Sequence, residues 1–528
     1  MSSNHNLFVA LRRSFPRDLD QVAIETADGR SYSWRHLDEQ SAQIANLLAS
    51  LRIEPDPDAP PRIAVQVDKS VESLILYLAS LRAGFVFLPL NTAYQGAEIA
   101  YFAQDAAAAV VVCASRQLER IEPIARQGGA AHVFTLDADR SGSLLDRAAA
   151  FGAQQNPVER SAADPAAILY TSGTTGRSKG ALLTHGNLLA SARTLRDYWG
   201  WQTSEPGGQA GADVLIHALP TFHAHGLFVA ANGALLAGCR MLWHAKFDAR
   251  AVVADLGRAT LFMGVPTMYV RMLNEPTLTR EQVAGMRLFI CGSAPLSMET
   301  FDAWRARTGH SILERYGMSE TVLLTSNPYR PDPRFRDQDE RRGGTVGFPL
   351  PGVDLRLRDE HGQPVATGEV GGIQVKGDTV FPGYWRMPEK TREEFTADGY
   401  FVTGDVGRQD ERGYVTIVGR SKDLIISGGY NVYPAEIEAY LNDMPGVAES
   451  ALVGVPHPDF GEVGIAVIVT EPGAQVDGEA MIDELKTRLA NFKVPKRCFV
   501  ELELPRNAMG KVQKNLLRAK YEGIFAQV

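Results

Sequence analysis

Eleven consecutive residues, Tyr170, Thr171, Ser172, Gly173, Thr174, Thr175, Gly176, Arg177, Ser178, Lys179 and Gly180, hold three glycines, five Ser/Thr hydroxyls and two cations. That density makes little sense as packing. Glycines let backbone N–H groups approach an anion closely, hydroxyls add donors without charge, and Arg177 and Lys179 offset negative charge; the natural guest is a phosphate. The spacing is not that of a P-loop, because two residues instead of four separate Gly173 from Gly176 and Lys179 precedes Gly180.

Further stretches share this composition. In Glu314, Arg315, Tyr316, Gly317, Met318, Ser319, Glu320 a carboxylate follows a glycine turn, where Glu320 could hold a magnesium ion against phosphate oxygens. Asp405 ends a strand-like run at 400–404, and its two oxygens suit a pair of ribose hydroxyls. Residues 419–423 form a charged turn with Arg420 and Lys422, and Ser427, Gly428, Gly429 and Tyr430 form a glycine-rich approach loop. Near the C-terminus Gly510 sets Lys511 on a turn from which it can swing.

The elements that must carry these groups read as α/β. A short apolar run at 165–170 leads into the phosphate loop as a buried strand. Before it, apolar runs at 62–67, 109–113 and 132–136 alternate with helical patterns at 71–81 and 118–126, the signature of parallel strands with helical crossovers. A strand pair is expected at 21–26 and 31–34 around the turn Asp28-Gly29. The pattern continues with strands at 214–218, 261–264 and 288–291, while 204–212 and 331–342 read as surface excursions. From 343 to about 420 the texture becomes short strands at 353–358, 372–377 and 414–418, which suggests a small β-barrel. A compact α+β unit follows, with helices at 434–441 and 478–489 and strands at 449–455 and 463–470. The expected organisation is a large N-terminal domain, 1–420, of two α/β subdomains plus the barrel, then a small mobile α+β lid, 422–528, with the hinge at 421–422.

Bulk numbers narrow the partners. At 45% apolar and 22% charged residues the chain is a soluble globular type. A net charge of -8 without a basic stripe argues against nucleic acid. Cys113, Cys239, Cys291 and Cys498 are far apart and form no Cys-x-x-Cys pair, so neither a zinc site nor a disulfide framework is indicated and a reducing cytoplasm is expected. The longest apolar region, 74–90, is broken by Arg82 and Gly84, and no membrane anchor is expected.

In this order and spacing the motifs resemble those of the adenylate-forming superfamily of acyl-CoA synthetases, luciferases and peptide-synthetase adenylation domains, from about residue 20 to 520. The resemblance implies an AMP-forming acid–thiol ligase using ATP, Mg2+ and CoA. Thr171, Ser172, Gly173, Thr174, Thr175 and Lys179 would hold the phosphates of ATP, and Glu320 would ligate magnesium. Gly292, Ser293, Ala294 and Pro295, with Glu314, Arg315, Tyr316, Gly317, Met318 and Ser319, would flank adenine, and Asp405 and Arg420 would bind ribose. Lys511 would reach the acid carboxylate and the ribose-phosphate link during adenylation. Lys422 stands at the hinge, about which the lid would turn to remove Lys511 and bring in Ser427, Gly428, Gly429 and Tyr430 for thioester formation. A lysine acetyltransferase acting on Lys511 would silence it by removing the charge. The 17 residues after Lys511 are too few for a carrier module, so free CoA is the expected acceptor.

The acid pocket is expected among residues 219–227, 263–268 and 286–290, with Gly264, Ser293, His223 and His225 on it. Arg287 either faces that pocket, where its fork could take a second carboxylate, or sits at the strand mouth in water. The runs at 217–228, 286–296 and 383–391 are similar to malonyl-CoA synthetases, and this likeness implies that Arg287 binds the distal carboxylate. Malonate is then the expected acid, with methylmalonate as a secondary substrate. Departures are Ser319 and Cys291, where that family more often has Thr and Ser, and the extra loop at 204–212. The alternatives are a short-chain or aromatic monocarboxylate CoA ligase and a non-catalytic ATP-binding regulatory protein.

Overall fold

The computed structural model describes residues 4–54, 56, 59–171, 178–203, 212–331, 334, 340–428, 430–507 and 510–525. Its contacts divide the chain into two compact units, Met1–Asp354 with Val375–Gly399, and Leu355–Gln374 with Tyr400–Val528.

The first unit is built on two large sheets. In the nine-stranded sheet the strands Val22–Thr26, Arg240–Trp243, Val214–His217, Leu261–Gly264, Leu288–Cys291 and Leu313–Tyr316 run parallel, and Ser31–Ser33 closes one edge antiparallel around Gly29, whose φ is +84°. Parallel strands are covered on both faces, which is why most of these four-residue runs are apolar throughout. Beneath them Phe289, Tyr269 and Trp304 pack edge to face, Trp304 lying 4.9 Å from each of the other two rings. The seven-stranded sheet sets Arg62–Gln66, Val86–Pro89, Val110–Cys113, His132–Thr135 and Pro165–Thr171 parallel, then adds Lys179–Thr184 and Gly383–Tyr384 antiparallel.

Local chemistry starts and stops the helices. Ser70 and Ser73 form a reciprocal capping box at the head of Val71–Arg82, a helix buried on every side. Thr184 and Asn187 form another at the head of His185–Tyr198, directly after the strand that leaves the phosphate loop. Pro266 occupies the first turn of Pro266–Leu273, where its missing N–H costs nothing.

The small sheet differs from expectation. Val353–Arg358, Val370–Gly377, Phe401–Gln409 and Val415–Arg420 hydrogen-bond in that order as an open four-stranded sheet, not as a closed barrel. Most of it also falls in the second unit, ahead of the 420/422 boundary expected from the sequence, because helix Pro434–Asn442 packs on Val415–Arg420. The rest of the second unit is a five-stranded sheet whose long hairpin, Val447–His457 with Gly461–Thr470, carries helices Pro434–Asn442 and Lys514–Tyr521 on its first strand.

Candidate active site

In an open parallel sheet, ligands bind beyond the carboxyl ends of the strands. Four neighbouring strands of the nine-stranded sheet end in predicted site residues: Val214–His217 runs on to His223 and His225, Leu261–Gly264 ends in Gly264, Leu288–Cys291 runs into Gly292 and Ser293, and Leu313–Tyr316 into Gly317 and Glu320.

His225 opens a π-helical segment, His225–Ala231, that continues as the α-helix Asn232–Ala237. Its Nδ1 lies 3.3 Å from Ser293 Oγ, and its Nε2 has no hydrogen-bond partner among the described residues. Burial, then the charge of Arg315, push its pKa well below the ordinary histidine value, so it is a neutral ring. Ser293 holds a left-handed φ of +72°, unusual for a side-chain-bearing residue and a mark of a constrained site. Gly226 has no room for a side chain, since a Cβ there would meet Pro220 O at 2.0 Å. Ser293, Ala294 and Pro295 are exposed, an open shelf beside the buried Gly292.

Arg315, which the resemblance set beside adenine, also belongs to this group. It is 4% exposed, and its Nε and Nη2 have no hydrogen-bond partner among the described residues. It packs against Gly292, where a Cβ would stand 2.6 Å from Nε, and burial lowers its pKa to about 10. A buried guanidinium with unmet donors is costly unless an anion completes it. Glu314 points the other way: Oε1 accepts from Leu296 N at 3.2 Å, Oε2 is unmet, and burial pushes its pKa up to about 8.

Arg287 is not brought to this group. It precedes its strand, and five residues at about 3.3 Å each put it about 16 Å along the chain from Gly292, at the opposite rim of the sheet. There its Nη2 pairs with the fully buried Asp213 at 2.6 Å, Nε reaches the other Asp213 oxygen at 3.2 Å, Nη1 donates to Trp199 O at 3.0 Å, and the guanidinium lies 4.7 Å from the Tyr329 ring centre. All its faces are used structurally. Arg315 was expected at adenine, not at an acid; the cue to its buried charge was in the chain, since two charged residues inside a four-residue parallel strand break the apolar rule for such strands.

At the phosphate end, Thr171 and Lys179 face each other as the last pair of the hairpin Pro165–Thr171/Lys179–Thr184, with Thr171 Oγ1 donating to Lys179 O at 3.3 Å. Ser172, Gly173, Thr174 and Thr175 lie outside the described residues. Lys179 Nζ pairs with Glu394 Oε1 at 2.6 Å and sits 4.3 Å from the Tyr384 ring centre. Gly317 admits no Cβ, which would meet Val322 O at 2.3 Å, and Met318 N with Thr321 Oγ1 at 3.4 Å closes the turn that carries Ser319 and Glu320. The Glu320 carboxylate is 5% exposed and accepts from Tyr384 Oη at 3.1 Å. One acidic ligand beside a phosphate loop fits magnesium, which takes one or two carboxylates, substrate phosphates and retained waters.

The second unit holds the remaining groups. Asp405 and Arg420 are direct partners across antiparallel strands, Arg420 Nε lying 2.8 Å from Asp405 Oδ1. Lys422 lies in the single turn Ser421–Asp423, its pKa lowered by burial and then by Arg420. Lys511 follows Gly510, whose φ is +77°, and its backbone N–H donates to Asn507 Oδ1 at 3.0 Å. Ser427 and Tyr430 pair across a tight hairpin with Gly428 at φ +57°, and the 60% exposed Tyr430 stacks on Phe492; Gly429 lies outside the described residues.

Known proteins are similar to this chain in sequence and fold. The family model of the AMP-binding enzyme matches residues 11–385, and that of the AMP-binding enzyme C-terminal domain matches 436–511. The ATP-bound MatB from Rhodopseudomonas palustris is 50% identical and superimposes with a TM-score of 0.91, covering 99% of this chain and 100% of its own. A malonate–CoA ligase of Arabidopsis thaliana is 33% identical, covering 95% of this chain and 86% of its own length. A feruloyl-CoA synthase of an Amycolatopsis species is also 33% identical, over 93% and 94%, so identity to these two does not choose the acid. Motif order, fold and both family models agree: the chain belongs to the AMP-binding enzyme family.

Proposed function

We propose that the protein is an acyl-CoA synthetase that joins malonate to CoA through a malonyl-adenylate, releasing AMP and pyrophosphate. One observation carries the choice of acid: the buried, incompletely bonded guanidinium of Arg315 beside Ser293 and His225. A monocarboxylate offers only its reacting carboxylate, and its apolar end would leave that charge unmatched. A short dicarboxylate presents one carboxylate to ATP and the other to Arg315, with neutral His225 donating or accepting beside it. Arg315 therefore takes the role that the sequence assigned to Arg287. Methylmalonate adds one methyl group and is proposed as a secondary substrate.

In this reading Thr171 to Thr175 serve the leaving pyrophosphate, and Asp405 and Arg420 bind ribose. Glu320 holds the ion that offsets charge on the phosphates. Lys511 supplies a positive charge as carboxylate and α-phosphate come together, since two anions must meet in that step. The turn at 421–422 is the proposed hinge, after which the loop of Ser427, Gly428 and Tyr430 serves CoA. Cys113, Cys239, Cys291 and Cys498 are all free, which supports a reducing cytoplasm, and no described helix is long and apolar enough to cross a membrane. Acetylation of Lys511 by a lysine acetyltransferase would stop the first half-reaction by removing its charge. Pyrophosphate release measured with acetate, malonate, methylmalonate, succinate and benzoate tests the proposal. Malonate should give the highest kcat/KM, and a preference for acetate or benzoate would overturn the choice of acid.

A further inference from the structure

Lys179 and Glu320 are 141 positions apart in the chain and are linked by two further side chains, Tyr384 and Glu394. Strand Gly383–Tyr384 pairs antiparallel beside Lys179–Thr184, Tyr384 opposite Ala181, which brings the Tyr384 ring under Lys179 Nζ at 4.3 Å. Helix Pro388–Glu393 then returns the chain so that Glu394 meets both: Oε1 on Lys179 Nζ at 2.6 Å, Oε2 on Tyr384 Oη at 2.7 Å. Tyr384 Oη also lies 3.1 Å from Glu320 Oε1. Lys390 adds a second cation 3.4 Å from Glu394 Oε1.

Two features of this chain decide what it does. First, the positive charge of Lys179 is engaged: a carboxylate at 2.6 Å and an aromatic face compete with any phosphate for it, and the strand partner fixes the side chain's origin. Second, the Tyr384 hydroxyl has one proton for two carboxylates. Glu394, held in place by Lys179 and Lys390, takes the shorter of the two bonds, 2.7 Å against 3.1 Å, so the proton is shared unequally between the two carboxylates, and the hydroxyl that Glu394 anchors sets the edge of Glu320 it touches. Glu320 is then held in one orientation, in the way that carboxylate ligands of metals are oriented by groups behind them.

We propose that Lys179, Glu394 and Tyr384 are positioning residues that orient Glu320 for magnesium, and that Lys179 acts through Glu394 instead of as a phosphate ligand. The inference rests on the reading of Glu320 as the metal-side carboxylate of an ATP site. It predicts a separation that a phosphate-binding lysine would not show: loss of the chain weakens ATP binding only when magnesium is present.

The test is calorimetric titration of the full-length protein with ATP, without any acid, once in magnesium and once in EDTA. Lys179→Met, Glu394→Gln and Tyr384→Phe are each expected to raise the Kd of magnesium-ATP fivefold or more and to leave the metal-free Kd within twofold of wild type. The double variant Lys179→Met/Glu394→Gln should be no worse than either single variant. The inference is overturned if Lys179→Met weakens metal-free ATP binding by the same factor, which makes it a phosphate ligand, or if Glu394→Gln and Tyr384→Phe leave both constants unchanged, which makes the contacts packing alone. Glu394→Asp keeps a carboxylate; an unaltered melting temperature with a raised magnesium-ATP Kd in that variant supports positioning even if Glu394→Gln yields no folded protein, and an unaltered Kd in it overturns the inference. A wild-type protein that gives no ATP heat in either buffer removes the ATP reading as well, a result distinct from all of these.

Discussion

Arg315 and Gly292 lie side by side where two neighbouring parallel strands end, so close that a Cβ on Gly292 would stand 2.6 Å from Arg315 Nε and 2.7 Å from its Cζ. The glycine is the floor on which the guanidinium rests. Gly292→Ala must therefore displace the planar head of Arg315, and kcat/KM for malonate should fall about tenfold or more, an effect of the size expected when a positioned group shifts by an ångström. Steady-state kinetics with malonate varied at saturating ATP would show it; an unchanged value would mean that Arg315 is not the carboxylate's partner.

The two arginines can be told apart directly. Arg315→Met removes the charge from the proposed acid pocket, and malonate kcat/KM should drop by about 2 kcal/mol or more, roughly 30-fold, as when one partner of a buried ion pair is removed. Arg287→Met instead leaves the buried carboxylate of Asp213 without its partner at 2.6 Å. That substitution should cost about 3–5 kcal/mol of stability, seen as a lower melting temperature, with the KM for malonate near wild type in the protein that remains folded.

This pair also marks what was legible in the chain. Strands Leu261–Gly264 and Leu288–Cys291 have the limits their apolar runs implied, Thr171 ends its strand and Glu320 follows the turn after Leu313–Tyr316, whereas Asp405, expected to end a strand, lies in the middle of Phe401–Gln409. Arg287 and Arg315 were not separable in the same way. Both are arginines within or next to a short parallel strand, and a run of letters does not say which rim of the sheet faces the ligand until strand direction is known. Tyr384 and Glu394 were hidden for another reason: their links to Glu320 and Lys179 span 64 and 215 positions, and no local period encodes such a contact. The open four-stranded sheet was mistaken for a barrel because alternation within strands is the same in both; closure depends on whether the outer strands pair.

Glu314 gives a pH prediction with a definite sign. Its pKa is raised from 4.5 to about 8 by burial, so between those values the native state holds a proton that the unfolded chain releases. Stability from this group is therefore greatest below about pH 4.5 and is lost as pH rises toward 8. Glu314→Gln, which keeps the shape and the acceptor for Leu296 N–H, should flatten the fall in melting temperature between pH 6 and 8.5. A wild type whose melting temperature does not decline over that range, relative to Glu314→Gln, would show that Glu314 is ionised in the folded state.

Lys511→Ala separates the enzyme from a protein that only senses ATP. If Lys511 stabilises the adenylation transition state, malonate-dependent pyrophosphate release should fall by about 10²-fold or more, the scale for losing one preorganised charge. The Kd for ATP should change far less. Equal losses in both would reduce Lys511 to a nucleotide contact.

The π-helical segment His225–Ala231 contains a residue more per turn than the α-helix that follows it. Deleting one residue between 226 and 231 would let the stretch relax to α-helix with its two flanks nearly in register, because the wider turn is what absorbs the extra residue. The same deletion inside the α-helix Asn232–Ala237 would instead turn one flank against the other by about 100°, the rotation per residue of an α-helix. The segment is thus a place where the chain can change length next to Ser293 while His225 keeps its aim.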